Sequence, residues 1–461
     1  MAVPGTVETP ARARALVLRD RLLVDRVDGA SLAAFRILFG LLMAASTIRF
    51  MALGWVDEFY VLPTFHLTWD PFPWVQPLPA GLMHLHFTAL VLLALAVALG
   101  FHYRVSMFLF FAGFTYVELI DKTTYLNHYY LVSLLSGLLV VLPAHQMWSV
   151  DGWRRNGPAD GTVPAWTVAL LRFQIGVVYV FAGLAKLNAD WLLDAQPLRI
   201  WLAARSDLSM VGPFFTQLWV AYAFSWFGAA YDLTIVFFLL WGRTRLAAYV
   251  TVIVFHLMTA VLFPIGMFPW IMIVATLIFF PPDWPRRLFG RPRTHQFTNS
   301  PTRQFSRWTT ALLAVYAAVQ IAVPLRAYWP GTDSNWTCRG FNFAWRVMLV
   351  EKAGYTELIA GVRSTGKRWP VRMRDYVTER QEKMMAQDPF MVRALARHVA
   401  AGLQARGIAG VEVRADSFAS LNGRPVQRLI DPRVDLAAPS PPGWIVPLER
   451  DPTPSVVDGS R

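Results

Sequence analysis

Long apolar runs separated by short polar segments make up most of the first 330 residues. A membrane-spanning helix needs roughly 20 mostly apolar residues, and the polar backbone of an irregular segment cannot face lipid. Nine runs approach this length, two of them short or closely spaced, so the pattern predicts a polytopic α-helical membrane protein with eight or nine spans. The runs lie at about 31–50, 80–100, 105–121, 125–143, 164–187, 217–240, 245–263, 265–281 and 308–328.

The basic residues predict the orientation of this helical body, because cytoplasmic loops are enriched in Lys and Arg. If the arginine-rich tail over 1–30 is cytoplasmic, every second loop is basic, whereas the segment 51–79 has no Lys or Arg. The alternation predicts an extracytoplasmic C-terminus, in the plasma membrane if the source is bacterial. The basic residues on the cytoplasmic side are then Arg12, Arg14, Arg19, Arg21, Arg26, Arg104, Arg154, Arg155, Arg243, Arg245, Arg286, Arg287, Arg291, Arg293, Arg303 and Arg307.

Apolar runs vanish after about residue 330, and charged residues become more frequent. Asp388-Pro389 is typical of an N-cap followed by the first residue of a helix, and 389–406 has an amphipathic period closed by Gly407. Alternation over 411–415 predicts a strand, and Asn422-Gly423 predicts a tight turn. We therefore expect a small β or α+β domain outside the membrane. The chain then divides into a cytoplasmic tail (1–30), a transmembrane helical domain (31–329), an extracytoplasmic domain (330–448) and a disordered tail (449–461).

The composition supports a membrane protein and narrows the chemistry. Only 16% of the 461 residues are charged and 55% are hydrophobic, whereas soluble domains carry about 25% charged residues. The cytoplasmic arginines explain much of the net charge of +13, so we expect no nucleic-acid partner. The single cysteine, Cys338, excludes an intrachain disulfide and a multi-cysteine metal site, and no other metal-ligand motif occurs, so we expect no metal. Nothing in the sequence requires an oligomer.

Ionisable residues inside the spans are candidates for chemistry, because charges are costly in a bilayer. They are Lys186 near the outer end of the fifth span, His128 at the start of the fourth, His256 within the seventh and Asp232 within the sixth. Lys186 has two interpretations. A lysine in a dry pocket loses stabilisation of its charged form and can act as a general base, or its side chain reaches out to the membrane surface. Either histidine alone is also explained as a helix-packing group.

Several stretches, taken together, resemble the vitamin K-dependent γ-glutamyl carboxylases and their bacterial relatives, the HTTM-domain proteins. The loop with Tyr60, Pro63, Phe65 and His66, which ends at 77–79, is similar to the bacterial branch. The other stretches are 121–131, 148–152, 178–191, 255–258 with 263–268, 336–348 and 430–435.

The resemblance implies a membrane carboxylase that uses reduced vitamin K or menaquinone, with O2 and CO2 as co-substrates. In that reaction the hydroquinone is deprotonated and oxidised to its epoxide, and a glutamate in a protein or peptide loses a γ-proton and takes up CO2. By position, Lys186 would deprotonate the hydroquinone. Asn127 and His128 would position its oxygens or stabilise developing charge.

The resemblance also implies which residues bind the cofactor and the substrate. His256 and Tyr179 would belong to the quinone cavity, and Trp345 and Met348 would line the place where quinone and glutamate meet. Two arginines would hold or orient a substrate carboxylate. These are Arg433 and Arg205.

Departures from the family pattern keep other functions open. In the animal enzymes a disulfide ties the outer domain to the membrane body, which Cys338 alone cannot do, and the outer domain is shorter here. One alternative is a quinone epoxidase or oxygenase without carboxylation. Another is a non-catalytic transporter or assembly protein in which Lys186 is a structural charge. Transporters often contain internal repeats, and no convincing repeat is found in this sequence.

Overall fold

The computed structural model of the protein describes residues 25–155, 161–288, 307–329 and 333–449. Most of the predicted cytoplasmic tail (1–30) and of the predicted disordered tail (449–461) lies outside the described residues. So does most of the basic segment between the last two predicted spans, from 289 to 306. The helical body and the C-terminal domain are described almost completely.

In the part of the chain that the structure describes, nine apolar helices form the body that the hydrophobic pattern predicts. They are α1 (Ala30–Ala52), α2 (Ala80–Leu99), α3 (Tyr103–Ile120), α4 (Asn127–Val141), α5 (Ala165–Ala185), α6 (Leu218–Leu240), α7 (Arg245–Leu262), α8 (Phe268–Thr276) and α9 (Arg307–Leu325). Short helical turns connect them or flank them. These turns are Asp57–Val61, Lys122–Thr124, Val150–Arg154, Ala189–Leu192, Leu198–Ala203, Gly212–Thr216, Leu277–Phe279, Trp284–Leu288 and Arg326–Tyr328.

Seven of the described helices are long and apolar enough to cross a membrane, so the predicted count of eight or nine spans was too high. The two exceptions are α4 and α8. With 15 residues, α4 reaches about 22 Å, and α8 is shorter still, whereas the hydrocarbon core is about 30 Å thick. The apolar runs predicted both helices to be longer than they are, because apolar residues continue beyond the helix ends. Hydropathy does not distinguish helix from loop in such residues.

The loops predicted to be cytoplasmic lie together at one end of the helical body. Strand β1 (Arg26–Asp28) precedes α1 and pairs antiparallel with β2 (Thr162–Pro164), which precedes α5. The backbone N–H of Ser31 donates to the carbonyl of Pro282, at the far end of the α8 region, over 2.9 Å. The basic loops therefore share one end, and the segment 51–79 belongs to the opposite end.

The loop 51–79 does not span the body, as its prolines predict. By residue type, Trp55, Tyr60, Trp69 and Trp74 of this loop suit an interfacial belt, and this expectation is wrong for Tyr60. Tyr60 is buried and packs against Phe50 and Phe87, with ring centroids 6.2 and 5.8 Å away. Trp74 is 70% exposed and fits the expected interfacial position.

The C-terminal domain is an α+β unit, as the sequence predicts. Its elements are β3 (Lys352–Val362), β4 (Arg368–Pro370), α10 (Pro389–Ala405), β5 (Val411–Leu421) and β6 (Gln427–Ile430), with short helices at Ser334–Thr337, Met373–Asp375 and Glu379–Met385. The four antiparallel strands lie in the order β4-β3-β5-β6, and α10 packs on the sheet. Asp388 caps α10 by accepting from the backbone N–H of Phe390 over 2.8 Å, and Asn422 and Gly423 adopt the positive φ angles of the predicted turn.

The C-terminal domain docks on the non-basic end of the helical body. Gln381 of this domain donates to the carboxylate of Asp121, just after α3, over 2.7 Å. The connecting segment contributes to both cores, because Trp336 packs in the core of the domain and Trp345 in the core of the helical body. This connection places residues 343–349 directly over the end of α5.

Candidate active site

An apolar cavity opens between α5, α6, α7 and α8, at the end of the body that carries the C-terminal domain. Its empty volume is about 720 Å³, including space open to the surroundings. Aromatic and aliphatic side chains form most of its wall, among them Val178, Phe224, Phe227, Phe255 and Met258. Such a cavity is typical of sites for small apolar ligands, in which a few polar groups fix the orientation.

Lys186 provides the amine on the wall of this cavity. The helix α5 ends at Ala185, and Lys186 is the residue that follows. Its side chain is buried rather than extended to the membrane surface, with a relative exposure of 5%. The ring of Trp191 covers the ammonium position, with the Nζ atom 5.1 Å from the ring centroid. The interpretation of Lys186 as an exposed residue at a helix end is therefore wrong.

The partner of Lys186 is the carboxylate of Asp232, from the middle of α6. The Nζ and Oδ2 atoms are 2.8 Å apart, and both side chains are buried. The sequence marked Asp232 as a charge inside a span but gave it no role. A charged residue within an apolar helix was the signal that marked Asp232. Its pairing with Lys186 could not be predicted from sequence spacing, because 46 positions separate the two residues.

Tyr179, His256 and Thr276 form a second polar site on the cavity side of the helices, about two helical turns away from Lys186 along α5. The hydroxyl of Tyr179 is 3.1 Å from His256 Nε2 and 3.4 Å from Thr276 Oγ1. His256 is buried, and its Nδ1 atom has no hydrogen-bond partner within the described residues. Both Tyr179 and His256 line the cavity.

The segment 343–348, which we call the roof segment, closes the outer side of the cavity. Val347 and Met348 line the cavity, and the carbonyl of Val347 lies 3.5 Å from Lys186 Nζ. Three of its residues have left-handed backbone conformations, namely Phe343, Trp345 and Met348, with φ of 66°, 54° and 54°. Such conformations are unfavourable for residues other than glycine and cluster at functional sites.

Trp345 and Met348 were expected to share one role, and the structure separates them. Met348 is on the cavity wall, whereas Trp345 points into the helical body and stacks on Tyr130, with centroids 5.0 Å apart. The indole Nε1 of Trp345 is buried without a partner among the described atoms. Trp345 therefore supports the roof segment from behind.

Asn127 and His128 lie beside the cavity rather than on its wall. Asn127 donates through Nδ2 to the carbonyl of Arg346 over 3.2 Å and accepts through Oδ1 from the hydroxyl of Tyr125. It thus ties the start of α4 to the roof segment. The buried His128 ring has its centroid 6.0 Å from that of Phe268, which does line the cavity.

The two arginines expected at the substrate carboxylate are not on the cavity wall. Arg433 is on the surface of the C-terminal domain, with its side chain 86% exposed and paired with Asp431 over 2.7 Å. Arg205 donates to the carbonyl of Val261, near the end of α7, over 3.1 Å. Arg205 is the nearer of the two, because the neighbouring Phe263 lines the cavity.

The residues present fit an aromatic cofactor with a polar atom at each end. The apolar walls match a ring system and an aliphatic tail, the Lys186 amine lies on the wall, and the unpartnered His256 Nδ1 offers a separate hydrogen-bonding position. An unpartnered buried polar atom is unusual in a folded protein and calls for a partner. Within the described residues, no group of three His, Cys, Asp or Glu side chains could hold a metal ion.

These features define a class: an integral membrane protein with an apolar intramembrane cavity, one buried amine and an α+β domain docked over it. The comparisons with known proteins give the family. Residues 25–284 match the family model of the HTTM domain, and residues 305–451 match that of the vitamin K-dependent gamma-carboxylase lumenal domain. The chain therefore belongs to the vitamin K-dependent gamma-carboxylase family, as its sequence indicated. No solved structure matches the chain. Its place in the bacterial branch stays a prediction.

Proposed function

We propose that this protein is a membrane γ-glutamyl carboxylase that couples oxidation of a reduced vitamin K or menaquinone to carboxylation of glutamate in a protein or peptide. When bound, the hydroquinone would supply, together with O2, the base strong enough to remove a glutamate γ-proton; CO2 would be the group added to glutamate, and the quinone epoxide would be the product formed from the cofactor. The observation that carries the proposal is a buried amine on the wall of an apolar cavity in a chain of this family.

Lys186 would take the hydroxyl proton of the cofactor. A general base must reach the proton that it removes, and it works best when its conjugate acid is not strongly favoured at the working pH. The Nζ atom is on the cavity wall, so a hydroxyl group in the cavity comes within its reach.

His256 and Tyr179 would hold the other polar end of the cofactor. The hydrogen bond between Tyr179 and His256 leaves His256 Nδ1 free to bond a ligand oxygen. Tyr179 on α5 and Lys186 directly after its end lie on the same side of the helix axis, seven residues and about 10 Å apart along it. This spacing lets one ring system contact both ends of the cavity.

The roof segment would exclude water during the reaction. A glutamate carbanion in water is rapidly protonated, so carboxylation needs a dry site. Val347 and Met348 cover the Lys186 end of the cavity, and Asn127 holds this cover by its bond to the Arg346 carbonyl. We therefore assign Asn127 to positioning of the roof segment, and His128 to support of the Phe268 wall.

The glutamyl substrate would approach from the side of the C-terminal domain. This domain docks at the cavity end of the body, and family members act on glutamate-containing substrates. Arg205, which bonds the Val261 carbonyl near the end of α7, would hold a substrate carboxylate at the outer side of the cavity. Arg433 would contact a more distant part of the substrate, because it lies on the outer surface.

Membranes that contain the protein test the proposal directly. The assay supplies reduced vitamin K or menaquinone, labelled bicarbonate and a glutamyl peptide, and measures both label uptake and quinone epoxide. We expect both with the wild type, and a loss of at least about 100-fold with Lys186→Ala, the usual scale for removal of a general base. Lys367→Ala is the matched control, because Lys367 is exposed on the C-terminal domain.

A second candidate function is oxygenation of the quinone without carboxylation, and the composition of the cavity wall favours it. Neither Arg433 nor Arg205 lines the cavity, so the described cavity wall offers no cation for a substrate carboxylate other than Lys186. Epoxide that depends on Lys186 but appears without label uptake would establish this alternative. Absence of turnover with several quinones would refute both functions and favour a non-catalytic membrane protein.

A further inference from the structure

The pair formed by Lys186 and Asp232 is buried within the helical body. The helices α5 and α6 approach closely beside it, because Gly183 leaves room for the backbone of Leu233, the residue after Asp232. A Cβ atom on Gly183 would lie 2.8 Å from the Leu233 backbone nitrogen. This close approach brings Lys186 Nζ and Asp232 Oδ2 within 2.8 Å.

The surroundings of the Lys186 amine match a protonated lysine. Besides the Asp232 carboxylate, the backbone carbonyls of Ala182 and Val347 lie 3.3 and 3.5 Å from Nζ. An ammonium group has three N–H donors and no acceptor, so three acceptors around Nζ use its donors fully. To act as a base, the Lys186 amine must first lose one proton, so that its nitrogen carries a free electron pair. Backbone carbonyls are too weakly basic to accept that proton, whereas a carboxylate such as Asp232 can accept it.

Asp232 is the one carboxylate on the cavity wall in the part of the chain that the structure describes. The other titratable groups near the pair are Tyr179 from α5 and His256 from α7, which line the same cavity, and Tyr231, the neighbour of Asp232 on α6. On the loop after α5, the carboxylate of Asp190 is engaged by Arg424 of the C-terminal domain. The charge state of Lys186 is therefore coupled to Asp232 more directly than to any of these groups.

We infer that Asp232 is a positioning residue that holds the Lys186 amine at the cavity and sets the pH at which this amine becomes a free base. The inference deepens the proposed function, since it concerns the same lysine. Two ionisable groups in such contact titrate as a pair, and a carboxylate next to an amine favours its charged form. Loss of the carboxylate should therefore release the amine at lower pH.

Chemical labelling of Lys186 tests this inference without the cofactor. The purified full-length protein, wild type or Asp232→Asn, is treated with fluorodinitrobenzene from pH 6 to pH 11, and modification of each lysine is followed by mass spectrometry. The asparagine keeps the shape and an oxygen acceptor but cannot carry the charge. Lys367, which is exposed, gives an internal reference in the same sample, and Asp207→Asn is the matched surface variant.

We expect half-maximal labelling of Lys186 at least one pH unit lower in Asp232→Asn than in the wild type, a tenfold change in the stability of the ammonium form. Lys367 should be unchanged, and Asp232→Glu should return Lys186 towards the wild-type value. An unchanged or higher pH for Lys186 would overturn the inference. So would failure of both proteins to react up to pH 11, because a deprotonated amine that faces a cavity must react.

A replacement variant and a turnover measurement complete the test of Asp232. If Asp232→Asn is not recovered in folded form by size-exclusion chromatography, Asp232→Ser is measured in its place with the same expected decrease. In membranes with active wild type, the acidic limb of the turnover profile should move in the same direction as the labelling. A wild type without quinone turnover would refute the proposed function, and the labelling result would then decide the inference on Asp232 by itself.

Discussion

The guanidinium group of Arg424 forms a two-pronged ion pair with the carboxylate of Asp190, with N–O distances of 2.8 and 2.6 Å. Asn422 donates to the same carboxylate over 2.8 Å. Asp190 is four residues after Lys186 and next to Trp191, whose ring covers the Lys186 amine. The turn between β5 and β6 is thus joined directly to the loop that carries the candidate base.

Replacement of Arg424 should loosen the C-terminal domain on the helical body. Each charge-assisted hydrogen bond contributes about 1.5–3 kcal/mol when buried, and solvent reduces this at a partly exposed pair such as this one, whose side chains are 19% and 17% exposed. We therefore expect Arg424→Ala to destabilise the docked state by about 1–3 kcal/mol, measured by hydrogen exchange of the loop after α5. Arg424→Lys keeps the charge but not the fork, so its effect should be intermediate. Equal exchange in all three proteins would contradict the prediction.

Asn127→Ala should impair turnover more than it impairs stability. It removes the bond to the Arg346 carbonyl, and the strained roof segment needs such anchors to keep its conformation. Misplacement of a reacting group by about 1 Å can cost 100-fold in rate, so we expect a 10- to 100-fold lower rate of quinone oxidation. Two lost hydrogen bonds should reduce the free energy of unfolding by about 1–3 kcal/mol.

Gln427→Ala is the control for Asn127→Ala. The Gln427 side chain also makes two bonds, one to the backbone carbonyl and one to the backbone N–H of Glu449, far from the cavity. It should reduce stability to a similar or smaller extent and leave turnover unchanged. Parallel losses of turnover in both variants would show that Asn127 acts only through global stability.

The contact of Asp121 with the C-terminal domain should weaken in acid. Burial alone would raise the pKa of Asp121, but hydrogen bonds from His66, Thr123 and Gln381 outweigh it and lower this pKa. Since the folded pKa lies below the unfolded value of about 3.9, the stabilisation is fully present above about pH 4 and is lost as the pH falls through the folded pKa. The difference in unfolding free energy between the wild type and Asp121→Asn should therefore shrink from pH 5 to pH 3. A constant difference would contradict this.

The sequence predicted the helical body well because burial in a membrane leaves a strong signal in single residues. Apolar runs located all nine helices, and a lysine in such a run pointed to Lys186. The pairing with Asp232 was not predictable, since it depends on how closely α5 and α6 pack, and that distance is set by Gly183. A hydropathy pattern predicts which residues are buried away from water, but it does not predict which helices are neighbours.

The roof segment shows a second limit of sequence reasoning. The resemblance placed Trp345 and Met348 together, and only Met348 reaches the cavity. Left-handed conformations at Phe343, Trp345 and Met348 turn successive side chains in directions that neither a helical nor a strand period describes. The bond from Asn127 to this segment was hidden for the same reason, because 219 positions separate the two residues.

Cys338 should react slowly with thiol reagents in the folded protein. Burial raises the pKa of its thiol to about 12, with a further contribution from Asp388. Only the thiolate reacts, and at pH 8 its fraction would be about 10⁻⁴, against about one quarter for an ordinary thiol with a pKa of about 8.5. Maleimide labelling should be slow before denaturation and fast afterwards. Ser364→Cys, at an exposed position, supplies the fast-reacting control, and equal rates at both cysteines would refute the prediction.

Gly183→Ala should disturb the site by separating α5 from α6. Its Cβ atom would lie 2.8 Å from the backbone nitrogen of Leu233, and backbone cannot move aside as a flexible side chain can. We expect a loss of about 1–3 kcal/mol in stability, the usual cost of overpacking, and lower turnover, because Asp232 is next to Leu233.

Gly176→Ala is the control on the same helix. Its nearest neighbour is a side-chain methyl of Val236 at 3.4 Å, so it should be neutral or slightly stabilising, since alanine favours helix over glycine. Thermal unfolding and quinone oxidation measured on both variants would separate the two effects, and equal behaviour of the two would show that the close helix contact is not what positions the pair.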